Sequence, residues 1–149
     1  MQLNVNKCKV MRVSRTTNPP PTYSLNNLAL DTVSSYKYLG LHITSTLNWA
    51  IYTEHIIAKA NRMLGYLRRN FAKAPSSLKL TLYKTLICPK LEYAASVWDP
   101  VNANLIHSVE IIQNNSTRFI LSNYNRTASI SAMKSSLNLP SLASRRQIL

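Results

Sequence analysis

The sequence predicts an α+β fold, in which a short antiparallel β-rich segment at the N-terminus is followed by a mainly α-helical bundle. Up to about residue 46, apolar and polar side chains alternate in short runs that prolines and an Asn-Asn pair interrupt, which is typical of small strands and turns. From Asn48 onward, apolar side chains recur with the period of a helix, about 3.6 residues. The change of period predicts the boundary between the two parts.

Four features of the N-terminal part predict its local structure. Residues 8–13 alternate imperfectly between apolar and basic side chains, which predicts a half-buried strand. Residues 18–21 contain three prolines, which have no N–H to donate to a sheet, so an exposed turn is expected. Residues 23–30 resemble a tight hairpin around a central Asn-Asn pair. Residues 36–43 carry the strongest strand signal, and Gly40 within them indicates a bulge or a close approach of another backbone.

The helical part begins with a long helix over residues 49–70. Its apolar side chains recur at helical spacing and should face a core: Trp49, Ile56, Ala60, Met63 and Leu67. A second helix restarts at Pro75-Ser76 and carries an apolar stripe of Leu78, Leu82 and Leu86. Pro89 falls inside that helix, where it removes a hydrogen bond and collides with the carbonyl of Thr85, so a kink or break is predicted there. Leu91, Ala95 and Trp98 continue the apolar face as far as Asp99-Pro100.

Three further helices follow. The next one should start at about Ala103 with Asn102 as its N-cap and run to Phe119, with Leu105, Val109 and Ile112 on its apolar face. A shorter helix carries Ile130, Met133 and Leu137, and Ser141 caps the last.

The charge of the chain is its most unusual bulk property. Eighteen Lys and Arg residues against five Asp and Glu residues give a net charge of +13. Such an excess favours polyanionic partners, foremost nucleic acid, although a generic basic protein or one that binds an anionic membrane surface would share it. Two widely spaced cysteines, Cys8 and Cys88, and the lack of signal-peptide character indicate a reducing compartment, nuclear or cytoplasmic. No window approaches the roughly 20 apolar residues of a membrane span, so no membrane association through a span is expected.

A stripe of cationic and aromatic side chains on the first helix points to a binding surface. His55, Lys59, Arg62, Tyr66 and Arg69 follow one another at intervals of 4, 3, 4 and 3 residues, so they share one face of the helix, and Arg68 and Lys73 extend the group. We call the first five the basic stripe. Cations at helical pitch with an interleaved ring suit a row of phosphates and a sugar or base. The competing interpretation is a solvated face that only keeps the protein soluble.

The acidic residues do not predict a catalytic centre. Two-metal catalysis needs carboxylates that bridge ions about 4 Å apart. Glu92 and Asp99 are seven residues apart, which places them about 10.5 Å apart along a helix. The chain has no Asp-Asp pair, its three histidines have no partners at metal-ligand spacing, and its two glycines cannot build a phosphate loop. We therefore expect no enzymatic activity of this chain alone, no bound cofactor or metal, and no small-molecule substrate.

The order of several short motifs carries a resemblance to a known family. The motifs are Tyr38-Leu39-Gly40, Leu47-Asn48-Trp49, Leu64-Gly65-Tyr66-Leu67-Arg68-Arg69-Asn70, the run from Leu91-Glu92-Tyr93 to Trp98-Asp99-Pro100, Ile112-Gln113 with Arg118-Phe119-Ile120, and Leu137-Asn138-Leu139-Pro140-Ser141-Leu142 with Arg145-Arg146. Together they resemble the end of the palm and the thumb of a reverse transcriptase from a non-LTR (LINE-type) retrotransposon, in particular arthropod elements. Each motif is weak alone, and the resemblance rests on their order.

The resemblance implies roles for two regions. Tyr38, Leu39 and Gly40 would seat the 3′ end of a primer in a primer-grip hairpin, and the helix from Trp49 to Asn70 would lie along the template–primer duplex, either RNA–DNA or DNA. It divides the chain into the end of the palm (1–46), thumb-like helices (47–100) and post-thumb helices (101–149). The Asp-Asp motif of the family is absent, so Mg²⁺ is expected only in the missing catalytic part.

Three hypotheses of different kinds follow. The first is a fragment of a retrotransposon RNA-directed DNA polymerase, from a truncated element or a partial gene model, that grips a duplex but does not catalyse. The second is a co-opted, non-catalytic nucleic-acid-binding protein, and the third is a non-functional transposon remnant that folds poorly because its strands lack partners. An in-frame Asp-Asp motif shortly upstream in the genome would favour the first, and a stop codon there would favour the others.

Overall fold

The computed structural model describes residues 4–14, 19, 21–100 and 102–146, and it divides the chain into two compact units, Met1–Tyr52 and Thr53–Leu149. Among its described residues, the first contains a short 3₁₀ helix, Val5–Lys7, and six short strands, and the second is helical. The predicted α+β fold class is thus confirmed.

The first strand is much shorter than predicted. β1 (Lys9–Val10) pairs in parallel with β4 (Asp31–Thr32). The predicted strand over residues 8–13 is therefore confirmed only at Lys9 and Val10 and is wrong for the other four residues. The partner segment is short because it lies between two hairpins that turn the chain away, so no ladder is available to extend β1. The predicted turn at residues 18–21 lies partly outside the described residues, and the two prolines that are described there, Pro19 and Pro21, are exposed and outside any strand.

The predicted Asn-Asn hairpin is confirmed. β2 (Ser24–Leu25) and β3 (Leu28–Ala29) are antiparallel, with Leu25 opposite Leu28. Asn26 and Asn27 both have positive φ, 52° and 62°. Asparagine tolerates this left-handed conformation better than most residues, and a two-residue turn of this kind matches the twist of the flanking strands.

The strongest predicted strand, residues 36–43, is a hairpin and not one continuous strand. β5 (Ser35–Tyr38) and β6 (Leu41–Thr44) are antiparallel, and Tyr38 lies opposite Leu41. Gly40 is in the turn with φ 87°, and Leu39 before it has φ 47°. The bulge expected at Gly40 is therefore wrong. The positive φ of both central residues folds the chain back, and only the glycine signals this in the sequence.

The first long helix is close to its prediction. α1 spans Ala50–Asn70, and the Oδ1 of Asn48 accepts a hydrogen bond from the Ala50 N–H at 2.9 Å, which satisfies one of the free donors at the helix start. Ile56, Ala60 and Leu67 are buried as predicted. Met63 is partly buried, and Trp49 precedes the helix.

The next segment is interrupted at the predicted proline. α2 (Ser76–Leu82) runs into a π-helical turn, Tyr83–Ile87, before α3 (Cys88–Glu92) carries Pro89 in its first turn. In the π turn the Cys88 N–H reaches back to the Tyr83 carbonyl, five residues earlier. The wider turn fits the ring that an uninterrupted α-helix could not accommodate.

The buried side of this segment is one residue out of phase with the prediction. Lys79, Tyr83 and Ile87 are buried, whereas Leu78 is exposed. Leu82 and Leu86 are only partly buried against the core. The predicted stripe was wrong at Leu78 because a lysine, which no hydropathy pattern places inside, takes the core-facing position. The final turn of this region, α4 (Ala95–Trp98), buries Ala95 and Trp98 and ends at Asp99-Pro100, as predicted.

The two predicted caps after residue 100, Asn102 and Ser141, are confirmed. α5 spans Ala103–Leu121, and the Asn102 side chain accepts from the Asn104 N–H at 2.9 Å. α6 spans Ile130–Ser136 and α7 spans Leu142–Arg146, where the Ser141 Oγ accepts from the Ser144 N–H at 3.0 Å. The predicted continuation of α7 to residue 149 lies outside the described residues.

The core of the second unit forms around α5, which packs against α2, α6 and α7. Buried side chains from α1, the π turn, α3, α5 and the C-terminal segment meet there: Ala60, Leu64, Leu67, Tyr83, Ile87, Cys88, Leu91, Val109, Ile112, Phe119, Ile120, Leu139 and Leu142. α1 thereby presents one side to this core and leaves the opposite side to solvent.

Candidate nucleic-acid interface

The basic stripe lies on the solvent side of α1. Lys59, Arg62 and Arg69 are exposed, and Tyr66 between them is 50% exposed. His55, at the N-terminal end, is half-buried. The fourteen steps from His55 to Arg69, at 1.5 Å each, make the stripe about 21 Å long. The structure therefore brings four of the five predicted side chains together as an open cationic surface, with the fifth at its margin.

Three of the four carboxylates of the second unit, those of Glu92, Asp99 and Glu110, are paired with basic side chains outside the stripe. Arg145 forms a bidentate pair with Glu92 (Nη2 to Oε2, 2.9 Å), which raises the pKa of the arginine further above its usual value. Arg146 Nε donates to Asp99 at 2.7 Å, and Lys134 donates to Glu110 at 2.9 Å. Within the described residues, no carboxylate lies within 4.0 Å of the cationic groups of Lys59, Arg62 or Arg69. The positive charge of the stripe is thus available to an external anion.

Arg68 lies away from the stripe. It follows Leu67 and precedes Arg69, and consecutive residues are about 100° apart around a helix, so it occupies the other edge of the buried face. Its Nη2 donates to the Asn115 carbonyl of α5 at 3.0 Å, and its guanidinium lies 6.0 Å from the centre of the Tyr124 ring. Arg68 therefore ties α1 to α5. Its predicted contact with nucleic acid remains a prediction, on a different surface from Arg69.

Lys73 extends the stripe beyond the end of α1. It is exposed in the turn that links α1 to α2. The neighbouring carbonyl of Ala72 accepts a hydrogen bond at 2.8 Å from the buried Lys79 Nζ, which also donates to the Ser122 Oγ of the α5 C-cap at 2.7 Å. Lys79 thus holds the turn that carries Lys73 beside the end of α5.

The predicted primer-contact residues occupy the tip of the β5–β6 hairpin. Tyr38 is 57% exposed, Leu39 is 72% exposed, and Gly40 is exposed. Large apolar side chains at an exposed hairpin tip are costly to hydrate, and a non-glycine residue in the left-handed region is strained. Both features are typical of a contact surface.

Two motifs without a predicted role of their own, Arg145-Arg146 and the run that ends at Asp99-Pro100, contact each other in the second unit. Arg146 is buried, lies 5.8 Å from the centre of the Trp98 ring and pairs with Asp99. Arg145 pairs with Glu92. The Arg-Arg pair near the C-terminus therefore fastens α7 to the segment that ends at Asp99-Pro100.

The loop between α5 and α6 is a candidate contact surface that was not predicted from the sequence. Tyr124 in that loop is 58% exposed and is flanked in sequence by asparagines, with Arg126 nearby. The sequence signal that could have predicted this surface is an aromatic and a basic residue within an Asn-rich turn. Because Arg68 reaches Tyr124 from α1, the loop forms a second cationic and aromatic surface.

The structure adds two findings on metals and membranes. In the part of the chain that the structure describes, no three His, Cys, Asp or Glu side chains gather where they could hold a metal ion. None of the described helices combines the length and the apolar character needed to cross a membrane.

Comparison with known proteins relates the chain to mobile genetic elements. It is 29% identical over 94 residues to a retrovirus-related Pol polyprotein from the type-1 retrotransposable element R1 of Bradysia coprophila, a match that covers 61% of this chain and 9% of that protein. It is 25% identical over 108 residues to a probable RNA-directed DNA polymerase from transposon X-element of Drosophila melanogaster, which covers 68% of this chain and 12% of that protein. The chain thus spans about a tenth of the length of these curated relatives. No protein-family model and no solved structure matches it.

Proposed function

We propose that this retrotransposon-related chain is part of an RNA-directed DNA polymerase that grips the template–primer duplex and does not itself transfer nucleotides. The observation that carries the proposal is the exposed row of Lys59, Arg62 and Arg69 on α1, because no carboxylate of the described residues lies within 4.0 Å of their cationic groups. The relatives support it, because a protein named as an RNA-directed DNA polymerase acts on an RNA template and a DNA product.

The dimensions of the stripe suit a duplex backbone. A double helix carries about one negative charge per 1.7 Å of its axis, so the exposed cations, which extend over about 15 Å from Lys59 to Arg69, meet several phosphates on the strand that faces them. Lys59, Arg62 and Arg69 would contact those phosphates, and the half-exposed ring of Tyr66 would pack on a sugar between two of them. His55 would mark the end of the contact, since it is half-buried.

The hairpin tip contributes a second element of the proposal. Tyr38 and Leu39 present apolar surface without charge, which suits the sugar and base of a primer end better than its phosphates. Gly40 adds no side chain, so a nucleic-acid backbone can approach the tip closely.

The non-catalytic part of the proposal rests on how the acidic groups are used. A two-metal centre needs carboxylates that face one another across about 4 Å. In the second unit Glu92, Asp99 and Glu110 are each paired with a basic side chain, and the 149 residues contain no Asp-Asp pair. Nucleotide transfer and its Mg²⁺ would therefore belong to another part of the polymerase.

Salt-dependent binding of an RNA–DNA duplex tests the proposal. If about 4–6 phosphates are contacted, the logarithm of the binding constant should fall with the logarithm of salt concentration with a slope of roughly −4 to −5. The triple variant Lys59→Gln, Arg62→Gln, Arg69→Gln should bind more weakly with a slope smaller by about 3 units, because each phosphate contact contributes about one. The helix should remain folded, since none of the three side chains faces the core.

A matched control separates this surface from net charge. Lys7, Lys84 and Lys90 lie outside the stripe, and their replacement by Gln removes the same three charges. Equal losses in the two triple variants would show non-specific attraction and would remove the site assignment. If the chain binds no duplex at low salt, only the third hypothesis, a non-functional transposon remnant, remains. Primer extension by the unmodified chain should show no incorporation, and incorporation by a clean preparation would refute the non-catalytic assignment.

A further inference from the structure

The loop between α5 and α6 is held rigidly while its one aromatic side chain stays exposed. The Asn123 Oδ1 accepts from the Asn125 N–H at 3.1 Å, and the Asn125 carbonyl accepts from Arg118 Nη1 at 2.6 Å. Tyr124 lies between these two anchored asparagines and is 58% exposed. Hydrogen bonds on both sides of Tyr124 reduce the conformational freedom that the loop backbone would lose on binding.

A cationic group lies beside that ring, and a second one follows it in the same loop. The Arg68 guanidinium lies 6.0 Å from the ring centre and is itself fixed by its hydrogen bond to the Asn115 carbonyl. Arg126 is exposed two residues further along the chain. No carboxylate of the described residues lies within 4.0 Å of either arginine. A ring that is 58% exposed beside one guanidinium group, with a second exposed arginine two residues along the chain, suits a base that stacks and phosphates that flank it.

We propose that Tyr124 is a stacking platform for an unpaired nucleotide, with Arg68 and Arg126 contacting the flanking phosphates. A base within a duplex is stacked on its neighbours and does not offer its face, so this surface selects single-stranded RNA or DNA. The basic stripe lies on another face of α1 and contacts the duplex backbone. The inference extends the proposed function, on which it rests for its nucleic-acid partner, by assigning a separate site to the unpaired strand.

Two probes distinguish this site from the duplex surface: an unstructured single-stranded RNA of about 12 nucleotides and a blunt RNA–DNA duplex. Tyr124→Ala should raise the Kd for the single strand at least about fivefold, because base stacking on an aromatic ring contributes that much or more. The Kd for the blunt duplex should be unchanged. Tyr124→Phe should bind the single strand like the unmodified chain, since the ring is kept and only the hydroxyl is lost.

Several outcomes would overturn the inference. They are an unchanged single-strand affinity in Tyr124→Ala, an equal loss for both probes, and a loss in Tyr124→Phe as large as in Tyr124→Ala. A measurement that needs no variant is photocrosslinking of a single strand that carries 5-iodouracil, which should modify Tyr124, and adducts confined to other tyrosines would count against the site. Failure of duplex binding with single-strand binding intact would refute the proposed function alone.

Discussion

A buried lysine offers the sharpest test of how the second unit is held together. Lys79 is only 2% exposed, and its Nζ donates to the Ala72 carbonyl after α1 and to the Ser122 Oγ at the end of α5. The ammonium also lies 5.1 Å from the centre of the Phe119 ring. One side chain thus satisfies groups at the C-terminal ends of two long helices, where a positive charge is favourable.

We expect Lys79→Met to lower the free energy of unfolding by about 2–4 kcal/mol. Methionine fills a similar volume, so the loss reflects two partly buried hydrogen bonds whose acceptors lose their charged donor, each costing about 1–3 kcal/mol. The serine hydroxyl can rotate to another partner, and removal of a buried charge recovers part of the desolvation energy that its burial cost. The expected loss of stability is therefore at the lower end of the sum of the two contributions. Lys79→Ala should cost about 2–3 kcal/mol more, because it also leaves a cavity.

Urea unfolding followed by far-ultraviolet circular dichroism measures these values, and a shift of the midpoint at constant slope shows that stability has changed. Lys84→Met on the neighbouring turn is the matched control, since Lys84 is exposed and its replacement should change stability by no more than about 0.5 kcal/mol. If Lys79→Met is as stable as the unmodified chain, the hydrogen bonds of Lys79 to the ends of α1 and α5 do not stabilise the fold. A loss equal to that of Lys84→Met would refute the reasoning in the same way.

Three further predictions test other contacts. Asp99→Ala should cost about 1–3 kcal/mol in urea unfolding, because it leaves the buried Arg146 guanidinium uncompensated while the half-exposed carboxylate moderates the effect. The hydrogen bond from Lys9 lowers the pKa of Asp31 below its usual 3.8. The contact therefore stabilises the fold above pH 3.8, and this stabilisation is lost as the pH falls through the folded pKa. NMR titration of Lys9→Met should show the pKa of Asp31 return toward 3.8. Burial raises the pKa of the Cys88 thiol, so mass spectrometry should find it alkylated slowly in the native chain and rapidly in urea, and equal rates would contradict its burial.

Local signals in the sequence were enough for most of the helices. The Asn102 cap, the restart after Pro75 and the interruption near Pro89 each depend on residues within one helical turn, and the structure has them where they were predicted. The Asn26-Asn27 hairpin belongs to the same class, because its turn needs only two residues that tolerate positive φ. The exposed positions of the basic stripe also followed from spacing, since the opposite face of α1 carries the apolar residues.

Tertiary packing decided what those signals left open. Lys79 is buried because its acceptors come from residues 7 and 43 positions away, a coincidence that no local pattern encodes. Arg68 contacts Tyr124 only because α1 and α5 pack together. Arg146 pairs with Asp99, which lies 47 residues earlier in the chain. Periodicity and capping act over a few residues and are readable in the sequence. The partner of a charged or aromatic side chain depends on which backbone the fold brings beside it.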